Sequence, residues 1–511
     1  MSLSGSLLRS CGVLFFSFGC NTAAIAVQEP SGIDWASRFG VLLVDAEEAP
    51  LLIKTLPARR VAVREDGIVI RVSAAEAKAR RKRGYRYLTD PPFKYIDPEI
   101  EDRLSSADPA VWWAGYKDEE LVERIIRNLA QNYPEHTTLF EIGRTHRNRP
   151  ILALRLASGL RPELRPAFLF NGGHHGNEPL SIEYALDVAR TLLSATPARG
   201  NAAALSIPSA EARTYLKYMA EFQIWIVPLV NPDGLHTFWN HSQLAGRRNG
   251  RAQGVDLNRN YPFYWNSGIR GASSDAPGSV FYRGPAPGSE PETRAMMRLA
   301  DERRFVVSLS YHTFATKVLV PYTTSGAMTS VPVTGWRFGS ELVSAGRSNR
   351  PDKEYKAVRN LYPVDGTDQD WLAHAFGTLA FIVEGSYQTP DFPTGGRASI
   401  EGMRGLSLRS LSLYAEGPTI QVTVLDPSGL PARARVRRLD QAVMEGEAHE
   451  TQARTGRFDF VLDGPGETVI QAVHLGREGF RAQTKVSCRS GICPVTIRLT
   501  GAMDPDQWVA Q

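Results

Sequence analysis

The sequence is poor in cysteine and has little excess of charge of either sign. Only 4 of its 511 residues are cysteine, which excludes a small disulfide-stapled scaffold. Its 59 basic and 54 acidic residues give a net charge of +5, too weak for a nucleic-acid-binding surface. The apolar fraction of 42% and charged fraction of 22% exclude wholesale disorder, collagen and coiled coil. This length predicts several domains, because one core rarely exceeds about 250–300 residues.

Long hydrophobic runs are also missing, with one exception at the N-terminus. The apolar run at residues 11–19 is well short of the ~20 residues that span a bilayer, so no transmembrane helix is expected. Arg9 precedes it and Ala24-Ile25-Ala26 resembles an export cleavage site, so residues 1–26 are predicted to be a signal peptide. The mature chain is then secreted or periplasmic. A buried first strand and a lipid anchor at Cys20 remain as alternatives.

Export would place the two cysteines that lie far from the predicted signal peptide in an oxidising compartment. Cys488 and Cys493 are separated by four residues that suit a tight turn between strands. In an oxidising compartment we expect a local disulfide, which stabilises by about 2–4 kcal/mol or less because its loop is short. Two small buried thiols are the alternative. Neither cysteine is expected to bind zinc, because no second pair and no nearby histidine accompanies them.

Apolar patterning divides the mature chain into three folded units and a tail. Residues 27–111 contain short strand-like runs and a helix with a basic end, which predicts a small α+β module. Residues 112–415 alternate apolar strands with helices, which predicts an α/β unit: a mixed, mostly parallel sheet with helices on both faces. Residues 416–500 show short alternating strands between turn residues, which predicts a small β-sandwich. Residues 501–511 form the tail.

Several elements of the α/β unit can be placed from the sequence. Asp118 is a good N-cap for a helix whose apolar residues recur at helical spacing. Five runs are typical of buried strands: 151–156, 167–170, 224–230, 305–309 and 379–383. Helices are predicted at 182–193 and 290–303.

The most informative segment comes directly after the strand at 167–170 and reads Asn-Gly-Gly-His-His-Gly-Asn-Glu-Pro. His175 and Glu178 are three residues apart, so on a turn that opens a helix both can face one ion. An imidazole nitrogen and a carboxylate oxygen suit zinc, and a catalytic zinc takes three protein ligands and one open position. His174 competes as a ligand, but only His175 has a carboxylate three residues later.

More chemistry-bearing residues follow other predicted strands. After the strand at 224–230 come Arg247 and the run Gly-Val-Asp-Leu-Asn-Arg-Asn. His312 and Glu384 each lie at the end of an apolar strand. A charge in such a place is costly unless it faces a cleft or a metal.

Together these segments resemble the zinc metallocarboxypeptidases, the family of pancreatic carboxypeptidases A and B, over about residues 112–415. The resemblance implies that one zinc ion is bound by three residues: His175, Glu178 and His312. It also matches Arg247 to the catalytic arginine and Glu384 to the catalytic glutamate. The alternative for these last two is a structural ion pair between them. The β-sandwich resembles the transthyretin-like domain of the branch that includes carboxypeptidases E, D, M and N.

The resemblance also implies a site for the C-terminus of a substrate. Asn258 and Arg259 match the pair that grips the terminal carboxylate, and Tyr362 matches the mobile tyrosine, with ordinary packing as its alternative. The bottom of the side-chain pocket falls on Gln369, which predicts neither a basic nor an apolar C-terminal residue. Asp368 next to it could restore a basic preference. Asp256, within the same run as Asn258, is expected to be a structural hydrogen-bonding residue.

The function implied is a zinc-dependent exopeptidase that removes single residues from the free C-terminus of peptides or proteins. Glu384 would act as general base and Arg247 would stabilise the oxyanion. One alternative is a zinc amidohydrolase acting on acyl-amino acids or cell-wall peptides, which need not keep Asn258 and Arg259. The other is a catalytically dead surface binding protein, which would commonly lose a ligand or Glu384. An N-terminal inhibitory pro-segment is one interpretation of residues 27–111.

Overall fold

The computed structural model describes most of the chain beyond residue 114. It covers residues 115–501 except 197–207, 241–244, 325–332, 351, 360, 387–389 and 391, together with 39–44, 59–64, 67–73, 79–80 and 86–88. The predicted signal peptide with Cys20, most of the basic helix end and the tail beyond residue 501 lie outside the described residues. Within the part that is described, every helix is too short or too polar to cross a bilayer.

Four short strands in the N-terminal region form an antiparallel sheet of their own, in the order β2-β3-β1-β4. They are β1 (Phe39–Val44), β2 (Arg59–Arg64), β3 (Gly67–Ser73) and β4 (Arg86–Leu88). The first three coincide with the strand-like runs expected in the small α+β module. Strand β2 lies beside the helix Pro232–Asn240 of the next unit.

The largest sheet has eight strands in the order β11-β10-β12-β9-β7-β8-β6-β5. These are β5 (Thr137–Arg144), β6 (Pro150–Leu156), β7 (Ala167–Asn171), β8 (Gln223–Val227), β9 (Val307–Thr313), β10 (Lys317–Leu319), β11 (Lys356–Val358) and β12 (Leu379–Gly385). The central strands β12, β9, β7 and β8 run parallel, whereas β10 and β6 join them antiparallel on the two sides. The predicted mixed sheet is therefore confirmed.

Eight helices are described around this sheet, beginning with α1, whose N-cap is Asp118 as predicted. Its carboxylate accepts a hydrogen bond from the Leu121 amide at 2.9 Å. The helices are α1 (Glu119–Asn132), α2 (Pro179–Leu193), α3 (Ser209–Glu221), α4 (Pro232–Asn240), α5 (Pro291–Arg303), α6 (Val333–Ala345), α7 (Asp368–Phe376) and α8 (Arg397–Glu416).

The sheet is buried on both faces, as the alternating side chains of β7 illustrate. In β7, Phe168 and Phe170 belong to the core cluster that α1, α2 and α8 line, whereas Leu169 belongs to the one that α5 and α7 line. Successive side chains of a strand point to opposite faces, so both faces of β7 are covered by helices. Two-sided burial explains why this strand reads as a continuous apolar run.

Two of the strand ends that differ from the sequence prediction, those of β8 and β9, affect the site. Strand β8 ends at Val227 rather than at residue 230, because Pro228 has no backbone N–H to donate to a neighbouring strand. Strand β9 extends to Thr313, so His312 pairs within the sheet, opposite Glu384 of β12.

The C-terminal unit contains two three-stranded sheets, β15-β13-β18 and β14-β16-β17. Its strands are β13 (Thr419–Leu425), β14 (Ala434–Arg438), β15 (Arg457–Val461), β16 (Gly466–His474), β17 (Arg481–Cys488) and β18 (Ile492–Arg498). Alternate residues of both sheets, such as Val422 and Ile470, share one apolar core, which is the arrangement of a sandwich. Cys488 and Cys493 are bonded, with an S–S distance of 2.09 Å, across the turn between β17 and β18.

A buried ion pair joins the start of α1 to α2, the helix that leaves the site. Lys117 is 1% exposed and its Nζ lies 2.5 Å from Glu183 Oε2. Burial lowers the pKa of Lys117 and raises that of Glu183, so the protein interior disfavours each charge and the partner opposes the shift. Each charge therefore depends on the other.

We expect Glu183→Leu to cost about 3–5 kcal/mol of unfolding free energy, because it removes the carboxylate to which the buried Lys117 ammonium donates. The double variant Lys117→Met, Glu183→Leu should recover most of this loss, since it removes both charges. Urea unfolding followed by tryptophan fluorescence measures both effects. A single variant as stable as the wild type would show that the pair does not hold the two helices.

Candidate active site

The candidate site lies where the parallel strands of the large sheet end. Strands β7, β9 and β12 are neighbours and run in one direction, so their carboxyl ends share one edge. That edge is where α/β sheets place their ligands. The segment after Asn171, the last residues of β9 and the last residues of β12 meet there. Because His312 and Glu384 are opposite each other in adjacent strands, their side chains leave the same face.

The turn between β7 and α2 depends on glycine. Gly173 has φ +65°, a left-handed conformation that residues with a side chain rarely adopt. A Cβ on Gly176 would lie 2.1 Å from the backbone carbon of Gly234. Only glycine allows the two backbone segments to approach so closely. The resulting turn places His175 and Glu178 on one side. Helix α2 then begins with Pro179 at its first position, where a missing N–H costs nothing.

Three side chains converge at this edge: His175, Glu178 and His312. Their ligand atoms all lie within 4.8 Å of one another, and all three residues are buried. The two histidine Nδ1 atoms are 3.3 Å apart. Glu178 Oε1 is 2.8 Å from Nδ1 of His175, and Oε2 is 3.2 Å from Nδ1 of His312. The charges and hydrogen bonds of the histidines outweigh burial and hold the pKa of Glu178 below its usual value.

These distances fit a tetrahedral zinc ion. Bond lengths of about 2.0–2.2 Å and tetrahedral angles put neighbouring ligand atoms about 3.3 Å apart. His175 Nε2 is 3.1 Å from Asp256 Oδ1. A carboxylate there keeps the proton on Nε2, so Nδ1 keeps its lone pair for a metal. The Nε2 atom of His312 likewise has Ser310 Oγ at 3.4 Å. The donor set therefore suits one Zn²⁺.

His174, the competing ligand, is placed elsewhere. Its Nε2 is 2.9 Å from the Tyr261 hydroxyl, and the residue is fully buried. Burial lowers the pKa of His174 to about 4, so the ring is neutral. It stacks on His312 with 5.6 Å between ring centroids. His174 thus forms part of the wall behind the His/Glu/His group.

Asp256 holds two residues of the site at once. Its Oδ1 faces His175, and its Oδ2 accepts from Arg247 Nε at 2.9 Å and Nη2 at 2.7 Å. The backbone amide of Asn258 also donates to Oδ1 at 3.1 Å. Although burial disfavours its charged form, the Arg247 guanidinium holds the pKa of Asp256 well below its usual value. The structural role expected for Asp256 thus extends directly to the ligand and arginine of the site.

Arg247 lies against the metal group rather than against Glu384. Its Nη1 is 3.7 Å from Glu178 Oε1, and its guanidinium lies over the Phe281 ring at 5.3 Å. The described residues contain no ion pair between Arg247 and Glu384, so the structural alternative for these two is not supported. The hydrogen bonds to Asp256 thus fix the orientation of the Arg247 guanidinium beside the metal group.

The loop that carries Arg247 is fixed by a buried polar cluster that sequence analysis did not identify. The side-chain amide of Asn249 donates to Glu290 at 2.8 Å and to Glu292 at 3.1 Å. Glu290 also accepts from Arg251 at 2.9 Å and contacts His146 at 2.8 Å. Burial raises the pKa of Glu292 to about 7, while the bond from Asn249 opposes that shift. The sequence shows Asn249 directly after two arginines, but its glutamate partners lie 41 and 43 residues further along the chain.

Asn258 and Arg259 lie beside the metal group and are both buried. Asn258 Nδ2 is 3.4 Å from His312 Nε2, and its Oδ1 accepts from the amide of Asp368 at 2.9 Å. Arg259 donates from Nε to Ala272 O at 2.9 Å and from Nη1 to Asn258 O at 2.7 Å. Among the described residues, Arg259 Nη2 has no acceptor. The side chain is therefore held rigidly with donors left for a ligand.

Tyr362 is 49% exposed, unlike the other residues of the site. Partial burial raises the pKa of its hydroxyl, and the positive charge of Arg259 opposes this shift. Glu384 and Arg247 are also close enough to act on that pKa. The tyrosine thus stands at the mouth of the site rather than in a packed core.

Gln369 lies at the start of α7 and is 1% exposed. Its Nε2 donates to Thr323 Oγ1 at 2.9 Å, whereas its buried Oε1 has no hydrogen-bond partner among the described residues. Asp368 is already engaged, because Oδ1 accepts from the Gln369 amide at 2.8 Å and Oδ2 lies 3.4 Å from Asn171. Asp370 accepts from both the backbone and the side chain of Thr323.

Glu384 is 9% exposed and ends an apolar strand at the same edge. Burial raises its pKa to about 7, a shift that the charge of His312 opposes and that of Glu178 assists. A carboxyl group with a pKa near neutral can both take and return a proton. Its environment is thus one in which the carboxyl group can exchange a proton near neutral pH.

Comparison with known proteins agrees with this geometry. The profile of the zinc carboxypeptidases matches residues 122–392. A carboxypeptidase B of Helicoverpa zea is 24% identical over 385 residues, 70% of this chain and 79% of its own. Zinc carboxypeptidase A 1 of Drosophila melanogaster is 27% identical over 327 residues, 59% of this chain and 70% of its own.

Two further relatives bear on activity and fold. An inactive metallocarboxypeptidase of Ajellomyces dermatitidis is 28% identical over 242 residues, 44% of this chain and 38% of its own. The crystal structure of thrombin activatable fibrinolysis inhibitor covers 74% of this chain and 98% of its own, with 16% identity and a TM-score of 0.51, a likeness of fold.

The matched segment begins inside α1 and continues past β12, so it contains the whole strand edge described above. More than half of the chain is matched, and the donor set at that edge suits the ion that gives the family its name. The chain belongs to the zinc carboxypeptidases, metallohydrolases that use one Zn²⁺ ion and act on peptide or protein substrates.

Proposed function

We propose that the chain is a carboxypeptidase that removes one residue at a time from the free C-terminus of peptides or proteins. The observation that carries this proposal is the position of Arg259, a buried cation one residue from Asn258, which itself contacts His312 at 3.4 Å. A carboxypeptidase benefits from a fixed positive charge beside its metal, because the substrate end that it recognises is a carboxylate. An enzyme acting on neutral amides would not need that charge.

Each residue of the site has a proposed part in the reaction. A zinc ion held by His175, Glu178 and His312 supplies Lewis acidity, which acidifies water and polarises a carbonyl. Glu384 takes the proton of the attacking water and returns it to the leaving amine. Arg247 donates hydrogen bonds to the oxygen on which charge develops.

Four other residues are proposed to bind and orient the substrate. Arg259 and Asn258 bind the terminal carboxylate, and Tyr362 closes over the bound residue. Its partial exposure supports this, because a tyrosine packed in a core could not move. Gln369 forms the floor of the side-chain pocket and offers a neutral acceptor rather than a charge.

The wider organisation is also proposed. Residues 112–415 form the catalytic unit and 416–500 a transthyretin-like sandwich, a division supported by the separate core of the C-terminal sheets. Residues 27–111 form the N-terminal unit, whose strand β2 lies beside α4. A pro-segment would have to lie close to the site, and α4 begins directly after Asn231, which donates to His174 O at 3.0 Å.

We further propose that the protein is exported, to the periplasm or the cell exterior. The bonded pair Cys488–Cys493 supports this, because disulfides persist in oxidising compartments and are rare in the cytosol. The predicted leader at residues 1–26 agrees with it, and a lipid anchor at Cys20 remains the alternative form of export.

A catalytically inactive protein is the second candidate, because two relatives carry that description. Against it stands the complete set of His175, Glu178 and His312 together with the buried Glu384 at the same edge. A binding protein would gain nothing from keeping a general base whose burial is costly.

The first test compares a peptide with a free C-terminus and the same peptide amidated. Chelation should abolish release of the C-terminal residue, and added Zn²⁺ should restore it. Amidation should lower kcat/KM by about 10–100-fold or more, the loss of one or two hydrogen bonds to a charged group. Arg259→Lys should reduce activity on the free peptide more than on the amide, whereas Arg213→Lys, on the exposed face of α3, should change neither. Equal rates on both peptides would rule out recognition of the terminal carboxylate.

The second test concerns the proposed base. Glu384→Gln should bind Zn²⁺ with unchanged stoichiometry, because Glu384 is outside the ligand set, yet lose about 10²–10⁴-fold in kcat. Metal content and steady-state kinetics measure the two effects separately. Glu401→Gln, an exposed change on α8, serves as the control. Wild-type turnover in Glu384→Gln would contradict the assignment.

The third test is the pH profile. The base form of Glu384 is the carboxylate, so kcat/KM should rise with pH through the pKa of this group. Burial, opposed by the charge of His312 and assisted by that of Glu178, raises that pKa to about 7. A bound cation favours the carboxylate, so the acid limb should lie below pH 7. Glu384→Gln should lose this limb from its residual activity. If the limb is retained, it belongs to another group.

A further inference from the structure

A loop of the C-terminal β unit reaches the catalytic unit beside the proposed side-chain pocket. It consists of residues 444–449, between β14 and β15, and is called here the 444–449 loop. The hydroxyl of Tyr322, which is 1% exposed, donates to Glu447 Oε2 at 2.8 Å. Met444 packs on the core cluster that includes residues of α5 and α7. The two units are thus joined by a specific polar contact as well as by apolar packing.

The loop holds Glu447 firmly in the position that Tyr322 requires. The amide of Met444 donates to Glu447 Oε2 at 3.0 Å, and the amide of Glu447 donates to Met444 O at 3.0 Å. His449 Nε2 is 2.6 Å from Glu447 Oε1. Burial opposes its charge, but the hydrogen bond and charge of His449 keep the pKa of Glu447 below its usual value. Glu447 is therefore a charged acceptor, and contacts within its own loop hold it in place for the Tyr322 hydroxyl.

The same loop also holds α7, the helix on which Gln369 lies. The amide of Ala448 donates to His374 O at 2.9 Å, and His374 Nε2 is 3.0 Å from Glu445 O. These bonds are near the C-terminal end of α7, whereas Gln369 is in its first turn. The 444–449 loop thus contacts two separate elements, the Tyr322 segment and α7.

Those two elements meet again at the pocket floor. Thr323, next to Tyr322, donates from its amide to Asp370 at 2.9 and 3.0 Å. Its hydroxyl oxygen accepts from Gln369 Nε2 at 2.9 Å. The Phe263 ring lies between the elements, 5.0 Å from the Tyr322 ring and 4.4 Å from the His374 ring. A shift of Tyr322 relative to α7 would therefore move the partner of Gln369.

We propose that Glu447 is a positioning residue for substrate choice: through Tyr322 and Thr323 it sets the position of Gln369. The inference rests on the proposed function, since it assigns Gln369 to the pocket that receives the C-terminal side chain. The buried Oε1 of Gln369 is an acceptor without a partner among the described residues, so its position decides which side-chain donors it can bind. The C-terminal β unit then contributes to specificity without touching the substrate.

The test uses the full chain and three variants. Tyr322→Phe removes only the hydroxyl, and Glu447→Gln keeps the shape of the side chain but removes its charge. Glu467→Gln is the control, because Glu467 pairs with Lys485 on the exposed side of the same β unit, with 57% of its side chain exposed. Two readouts are measured: amide hydrogen exchange, and kinetics on peptides that differ only in a C-terminal Leu, Gln or Lys.

We expect Tyr322→Phe and Glu447→Gln to speed exchange at the Thr323 and Thr324 amides, both of which donate to Asp370. We expect KM to rise and the ratios of kcat/KM among the three peptides to change by about tenfold, the size of one hydrogen bond to a charged group. The kcat on the best peptide and the zinc content should stay close to wild type. The two single changes should be less than additive in the double variant, because both weaken the contact between residues 322 and 447. Glu467→Gln should change none of these.

Unchanged exchange at Thr323 and Thr324 would overturn the proposal whatever the activity of the protein. Faster exchange with unchanged peptide ratios would also overturn it, because Glu447 would then be structural only. If the wild type releases no residue from any free C-terminus, the proposed function fails and the pocket assignment fails with it. The exchange readout distinguishes these cases, since it reports the Glu447–Tyr322 contact without requiring turnover.

Discussion

The site depends on one constraint: three buried lone-pair donors point at a common centre. The Nδ1 atoms of His175 and His312 are 3.3 Å apart, and both face the Glu178 carboxylate. When both Nδ1 atoms are deprotonated, donors so placed repel one another unless a positive charge lies among them. The glycines of the turn after β7, the parallel arrangement of β7, β9 and β12 and the proton fixed on His175 Nε2 all serve to create that arrangement. The requirement for a cation is thus part of the local folding of this edge.

Polar residues that surround this centre balance its charge. Asp256 accepts from His175 and from two nitrogens of Arg247, so one buried carboxylate orients both a residue of the metal group and the arginine proposed to donate to the oxyanion. Arg247 in turn lies within 3.7 Å of Glu178. Asn249, two residues beyond Arg247, bonds to two buried glutamates and fixes the loop that carries it. A change at any of these positions would be transmitted to the metal group through one or two hydrogen bonds.

Much of this edge could be predicted from the sequence, because its chemistry is local. The spacing of His175 and Glu178, and charges at the ends of apolar strands, indicate a site without knowledge of the fold. The strand predicted at 224–230 runs past the end of β8 because Leu229 and Val230 continue the apolar run, although Pro228 is a local signal for that end. The sequence could not identify the partners of Asn249 or Tyr322, because the hydrogen bond from Tyr322 to Glu447 joins residues 125 positions apart. Long-range polar contacts leave no periodic pattern in a single sequence.

Catalysis and substrate choice therefore rest on contacts of different kinds. His312 and Glu384, to which we assign metal binding and proton transfer, lie in the last residues of two neighbouring strands, and the sheet register sets their relative position. The proposed floor of the pocket depends on contacts between units, because Gln369 is bonded to Thr323 and the neighbouring Tyr322 is bonded to the 444–449 loop. Register cannot change without unfolding the sheet, whereas a loop between two strands can vary at little cost to either core. Specificity can then diverge through the C-terminal unit while the reaction is preserved.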